Sequence, residues 1–106
     1  MISRTQYLFS YGSLQKEDVQ QQLLNRKLRG KKAVLYGYKR FENVVYGVYP
    51  VIQPTIDLQS KVKGRLFKVS FLDLYIIDEY ETKAYKRIQV LLKSGIRAWA
   101  YVENLG

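Results

Sequence analysis

Residues 62–81, VKGRLFKVSFLDLYIIDEYE, change periodicity without a linker, and that change restricts the fold more than any other stretch. Through residue 69, charged and apolar side chains alternate, Lys63 and Arg65 against Val62 and Leu66, as in a strand with one solvated face. Ser70 with Asp73 three places on is a capping-box pattern. Leu72, Leu74, Tyr75, Ile76 and Ile77 then supply the apolar content of a short helix over about 71–79. A chain that sets these elements back to back is neither all-helical nor all-strand.

The remaining segments fill out the same class. Residues 5–10 read as a first strand. Asp18 followed by Gln21 resembles a second capping box. Val19, Leu23, Leu24 and Leu28 recur at helical spacing, predicting a helix over about 18–28 closed by Gly30. AVLYGYKRF (33–41) and VVYGVYPVI (44–52) are β-rich, each interrupted by a glycine that signals a bulge or bend. QPTIDLQS (53–60) reads as a loop. YKRIQVLL (85–92), the turn KSG and IRAWAYV (96–102) read as a hairpin. The expectation is α+β: a small mixed, strongly curled or barrel-like sheet of about six strands with two helices. At 106 residues, with no linker or repeat, residues 1–106 are expected to form a single domain.

Composition limits the chemistry. The chain has neither cysteine nor histidine, which removes the usual zinc sites, thiol nucleophiles and Ser-His-Asp triads. Catalysis would have to come from carboxylates, hydroxyls, lysine or backbone amides, and neither a metal nor a cofactor is expected. No apolar run approaches the roughly 18–20 residues that span a bilayer, and no signal peptide is evident, so no membrane association and a cytoplasmic location are expected. The net charge of +9 raises the question of nucleic acid. Its densest cluster, RKLRGKK (26–32), runs from a predicted helix end, where basic residues complement the helix dipole. Lys61, Lys63, Arg65 and Lys68 alternate with apolar residues as a solvated face would. A solvated surface is the expectation, and no nucleic-acid partner.

Two stretches carry candidate chemistry. In SYGSL (10–14), a glycine and small neighbours at a strand end leave successive N–H groups free to meet a carboxylate or a developing oxyanion. An ordinary strand-ending turn has the same composition. In IIDEYETKAYKR (76–87), Asp78, Glu79 and Glu81 crowd within four positions. Like charges so close raise one another's pKa, and burial would raise one further, which suits a general base. An acidic helix end balancing nearby lysines would look the same.

Taken together and in this order, these stretches resemble the γ-glutamylcyclotransferase-like family, which includes γ-glutamylamine cyclotransferases and AIG2-like proteins. YGSL (11–14) resembles the family's substrate loop, and GYKRF and YPVIQP (37–41, 49–54) its middle segment. VKGRLFKVS followed by LDLYIIDEYE resembles the strand and helix that lead to its catalytic glutamate, with YKR (85–87) and AWAYV (98–102) completing the pattern. The resemblance covers almost the whole chain. It implies Glu81 as catalytic acid/base, although Thr82 stands where the family often has glycine. It also implies amides of Tyr11, Gly12, Ser13 and Leu14 as substrate donors, with Tyr85 and Tyr49 as pocket walls. The implied partner is a small γ-glutamyl compound, cyclised to 5-oxoproline with release of its amine. Two other classes remain open at this stage: a non-catalytic module binding a small carboxylate or peptide end, and an RNA-binding surface of tyrosines and basic strands.

Overall fold

The computed structural model describes residues 5–106. Strand β1 (Thr5–Ser10) leads through a 3-10 turn (Ser13–Gln15) into helix α1 (Glu17–Leu24). Then come β2 (Gly30–Tyr36), β3 (Tyr38–Val45), β4 (Tyr49–Pro54) and β5 (Lys61–Ser70). Helix α2 (Phe71–Glu81) and strands β6 (Tyr85–Leu91) and β7 (Arg97–Glu103) complete the chain. Five strands form one mixed sheet in the order β2-β5-β1-β7-β6, and β3 and β4 form a separate ribbon. Within the larger sheet only β1 and β7 run parallel; the other neighbours are antiparallel. Just past β6, Lys93 N–H donates to the Val34 carbonyl of β2 (3.0 Å), so the two edges of the curled sheet meet.

Among the described residues, seven strands replace the expected six because the run 33–41 divides. Gly37, at φ +81°, turns the chain out of β2 and into the ribbon. Its N–H donates to Ser60 O (2.8 Å), and its carbonyl accepts from Thr55 N–H (3.0 Å), which pins the crossing point. Gln53 and Pro54, expected in a loop, finish β4.

Helix α1 is also shorter than its periodicity suggests. It stops at Leu24, where Asn25 adopts a left-handed conformation (φ 59°) and its N–H closes on Gln21 O. Gly30 does not close the helix; it opens β2, where a Cβ would come within 2.3 Å of the Phe67 ring. The Asp18–Gln21 box does not form. Lys16 is the N-cap residue, and the Asp18 carboxylate accepts from the adjacent Val19 N–H. Leu28 keeps its place in the helical pattern because it joins the same apolar cluster from the following loop.

The cap on α2 is realised in full. Ser70 and Asp73 exchange side-chain and backbone hydrogen bonds, and Asp73 also receives both guanidinium nitrogens of Arg26. The core has two compartments. Phe9, Leu35, Ile52, Val62 and Ala100 fill the inside of the curl, while Leu8, Leu14, Phe67, Leu74 and Ile77 lie beneath the helices. Leu74 and Ile77 are completely enclosed, each worth about 1.5–3 kcal/mol of burial. They stand three apart on α2, and Glu81 follows Ile77 by four, so the stripe that anchors the helix carries Glu81 inward with it.

Candidate active site

A cavity of about 300 Å³ opens between the end of β1, the end of α2 and the turn joining β3 to β4. Tyr11, Gly12, Ser13, Glu81, Tyr85 and Tyr49, six of the seven residues singled out from the sequence, line it. Leu14 does not: its side chain is buried beneath the helices, and its carbonyl accepts from Gln20 Nε2 (2.8 Å).

The β1 loop is held from several sides. Gly64 lies opposite the end of β1, where a Cβ would approach Ser10 O to 2.4 Å; only glycine lets β5 pass so close. Gln20, enclosed in the core, ties Leu14 O to Leu28 N–H and so fixes the turn to the loop after α1. Arg40 reaches from the ribbon to donate to Tyr11 O (2.6 Å), and the Tyr11 hydroxyl donates to Tyr101 O (2.6 Å). The Gly12 carbonyl is taken by Gln15. Among the described residues, none accepts from the N–H groups of Gly12 or Ser13. A Cβ on Gly12 would meet no protein atom within 4 Å, so the space beside these amides is open.

Glu81 is the more enclosed acid of its cluster. Among the described residues no group donates a hydrogen bond to it, and burial, followed by the nearby Asp78 charge, raises its pKa from 4.5 to about 7. Asp78 takes the opposite course. Burial acts to raise its pKa, but hydrogen bonds from Arg87 and Tyr101 outweigh burial and leave it below the usual value. Glu79 is exposed. Three crowded acids thus separate into one perturbed upward, one held ionised and one solvated.

The walls are tyrosines. Tyr85 donates to Pro50 O (2.7 Å), which fastens β6 to the ribbon beside Tyr49, and burial pushes its phenol up to about 12. Sequence reasoning missed Tyr46, Tyr80 and Tyr101 as lining residues. Tyr80 shares a 2.7 Å hydrogen bond with Ser13, linking the loop to the end of α2. Its place directly before Glu81 was a usable signal; Tyr46 and Tyr101 are brought in by tertiary pairing alone. Among the described residues, no cluster of three or more carboxylates is placed to hold a metal ion. None of the described helices is long and apolar enough to cross a membrane.

Thr82 ends α2 at φ 66°, ψ −175°, a region almost confined to glycine. The Thr82–Tyr85 turn is closed by the Thr82 hydroxyl accepting from Ala84 N–H (3.2 Å) and by Tyr85 N–H donating to Thr82 O (3.4 Å).

Fold and cavity together define a curled α+β domain with a carboxylate facing a strand-end loop. The chain belongs to the family described as gamma-glutamyl cyclotransferase, AIG2-like, whose profile matches residues 8–105. It is 41% identical over 88 residues to AIG2-like protein C of Arabidopsis thaliana, covering 80% of this chain and 49% of that one. This chain therefore spans about half the length of that relative. A solution structure of an Arabidopsis thaliana protein is similar at TM-score 0.82 and 27% identity, over 97% of this chain and 64% of the other. A structure called gamma-glutamyl cyclotransferase is similar at TM-score 0.71 and 19% identity, over 93% and 66% of the two chains, a likeness of fold.

Proposed function

We propose that this protein cyclises the γ-glutamyl group of a small γ-glutamyl amine or amino acid to 5-oxoproline, releasing the amine. The observation that carries the reading is the pairing, across one cavity, of a donor-poor carboxyl group at Glu81 with the open amides of Gly12 and Ser13. In such a substrate the α-amine and the γ-carbonyl belong to one molecule. Holding them in a productive geometry is worth an effective molarity of roughly 10⁵–10⁸ M.

Glu81 takes a proton from the α-ammonium, which frees the amine to attack the γ-carbonyl carbon. A C–N bond forms, and the carbonyl oxygen becomes an oxyanion facing the Gly12 and Ser13 amides. Glu81 passes that first proton to the leaving nitrogen, and the oxyanion re-forms the carbonyl as the original amide C–N bond breaks. The ring nitrogen then yields its second proton to Glu81, which hands it to the released amine. A carboxyl group with a pKa of about 7 suits both directions, because it is half protonated near neutrality. The tyrosine walls exclude water from the folded-back substrate. The test is incubation with a panel of γ-glutamyl amines, γ-glutamyl amino acids and glutathione, with 5-oxoproline read by mass spectrometry. Formation from at least one class is expected; none from any would overturn the reading.

A further inference from the structure

Beside the cavity lies a charged group that this mechanism leaves unused. Asp78 stands three residues before Glu81 on α2, which on a helix places the two side chains about 5–6 Å apart at Cβ. Arg87 of β6 grips Asp78 with two nitrogens, at 2.9 and 3.1 Å, and Tyr101 of β7 donates to the same carboxylate at 2.6 Å. Arg87 is itself fixed, its guanidinium lying 4.3 Å over the Trp99 ring, whose N–H donates to Gln6. Tyr101 belongs to both places, lining the cavity while bonding Asp78.

We propose that Arg87 is a positioning residue for Glu81: its two-point pairing with Asp78 sets how much negative charge Glu81 meets one helical turn away, and thereby the pH range over which Glu81 exchanges protons. The proposal rests on reading Glu81 as the proton carrier. The other titratable groups that line the cavity with Glu81 are phenols: Tyr80 on α2, Tyr11 after β1, Tyr46 and Tyr49 at the ribbon, Tyr85 on β6 and Tyr101 on β7. Among the described residues Asp78 is the charged group one helical turn from Glu81 that opposes its ionisation, and Arg87 is the cation paired with it, whereas Glu79 and Lys83, two positions to either side of Glu81, are exposed to solvent.

The test reads the sign of two opposite shifts. The Glu81 carboxyl carbon is titrated by NMR, without substrate, in the wild type, Arg87→Met, Asp78→Asn and Arg87→Lys. Methionine keeps bulk against Trp99 while removing the cation, so the midpoint should rise by about one pH unit as Asp78 loses its screen. Asp78→Asn should lower it by a similar amount, and Arg87→Lys, which keeps the charge, should restore it nearly to the wild-type value. If Arg87→Met does not fold, Tyr101→Phe removes another donor from Asp78 and should raise the midpoint by a smaller step. In turnover of a reactive γ-glutamyl compound, the acid limb of kcat/KM should move with the NMR midpoint. Shifts of the same sign in Arg87→Met and Asp78→Asn, or no shift in either, would overturn the proposal. Because the NMR arm needs no turnover, absence of 5-oxoproline would sink the proposed reaction without touching the charge coupling.

Discussion

Replacing Glu81 by Gln should make the protein more stable in alkaline solution, not less. Below about pH 4.5 the Glu81 carboxyl is protonated in both the folded and unfolded chains and contributes no pH dependence. As the pH climbs, the unfolded chain ionises first, while burial keeps the folded carboxyl protonated until about 7. Stability from this group is therefore present at low pH and lost between about 4.5 and 7, after which both states are charged and the loss is complete. A rise from 4.5 to about 7 corresponds to about 3 kcal/mol, at about 1.4 kcal/mol per tenfold change in proton affinity. Gln fills the same space and cannot ionise, so the variant escapes that loss. Urea unfolding of both proteins from pH 4 to 8.5 should show the difference widening by about 3 kcal/mol in favour of the variant. Asp73 and Asp78, both held below their usual values, add acid-side effects of the opposite sign, but these are common to both proteins and largely cancel. A difference that stays flat across the range, or that favours wild type at pH 8, would refute burial of Glu81 as the cause.

Three further outcomes follow from the geometry. Thr82→Gly should raise stability by about 1 kcal/mol, since relief of about 1–3 kcal/mol of backbone strain exceeds the added unfolded-state entropy; Thr82→Ala, which keeps a Cβ, should bring no gain in the same melts. Gly12→Val should leave the fold intact, because nothing stands where its Cβ would go, yet abolish binding of a γ-glutamyl ligand by calorimetry, while Ser13→Ala weakens binding much less. Equal tolerance of both changes would remove the loop from the site. Asp73→Ala should cost about 2 kcal/mol by unfolding, losing the α2 cap and the Arg26 pair together. The wild-type contribution should itself fade as the pH falls through the depressed Asp73 value, below the usual 3.8.

What the sequence made legible depends on whether the cause was local. The cap on α2 was legible because Ser70 and Asp73 satisfy each other three residues apart, and the closing hairpin because its strands are joined by a short turn. The division at Gly37 was not, since its φ answers to partners at Ser60 and Thr55 across the fold. The early end of α1 was hidden for a similar reason: Leu28 continues the apolar pattern from outside the helix, and Asn25 rather than a glycine takes the left-handed cap. At the site, Glu81 could be singled out among three neighbouring acids on family resemblance. The structure adds a spacing argument, because Leu74 and Ile77 set the buried stripe that Glu81 extends. The Arg87–Asp78–Tyr101 group joins α2, β6 and β7, and no local pattern announces it. Thr82 looked like a departure in identity alone; its φ of 66° shows why glycine is the easier residue there.

Single-turnover formation of 5-oxoproline reports whether Glu81 moves the protons in ring closure. Wild type and Glu81→Gln are each mixed in excess with a γ-glutamyl compound that the wild type turns over, at pH 7.5, after calorimetry has established that both bind it. The rate for the Gln variant should fall roughly 10²-fold or more, with binding retained and with Glu79→Gln close to wild type. A Gln variant that forms 5-oxoproline at the wild-type rate would contradict Glu81 as the proton carrier.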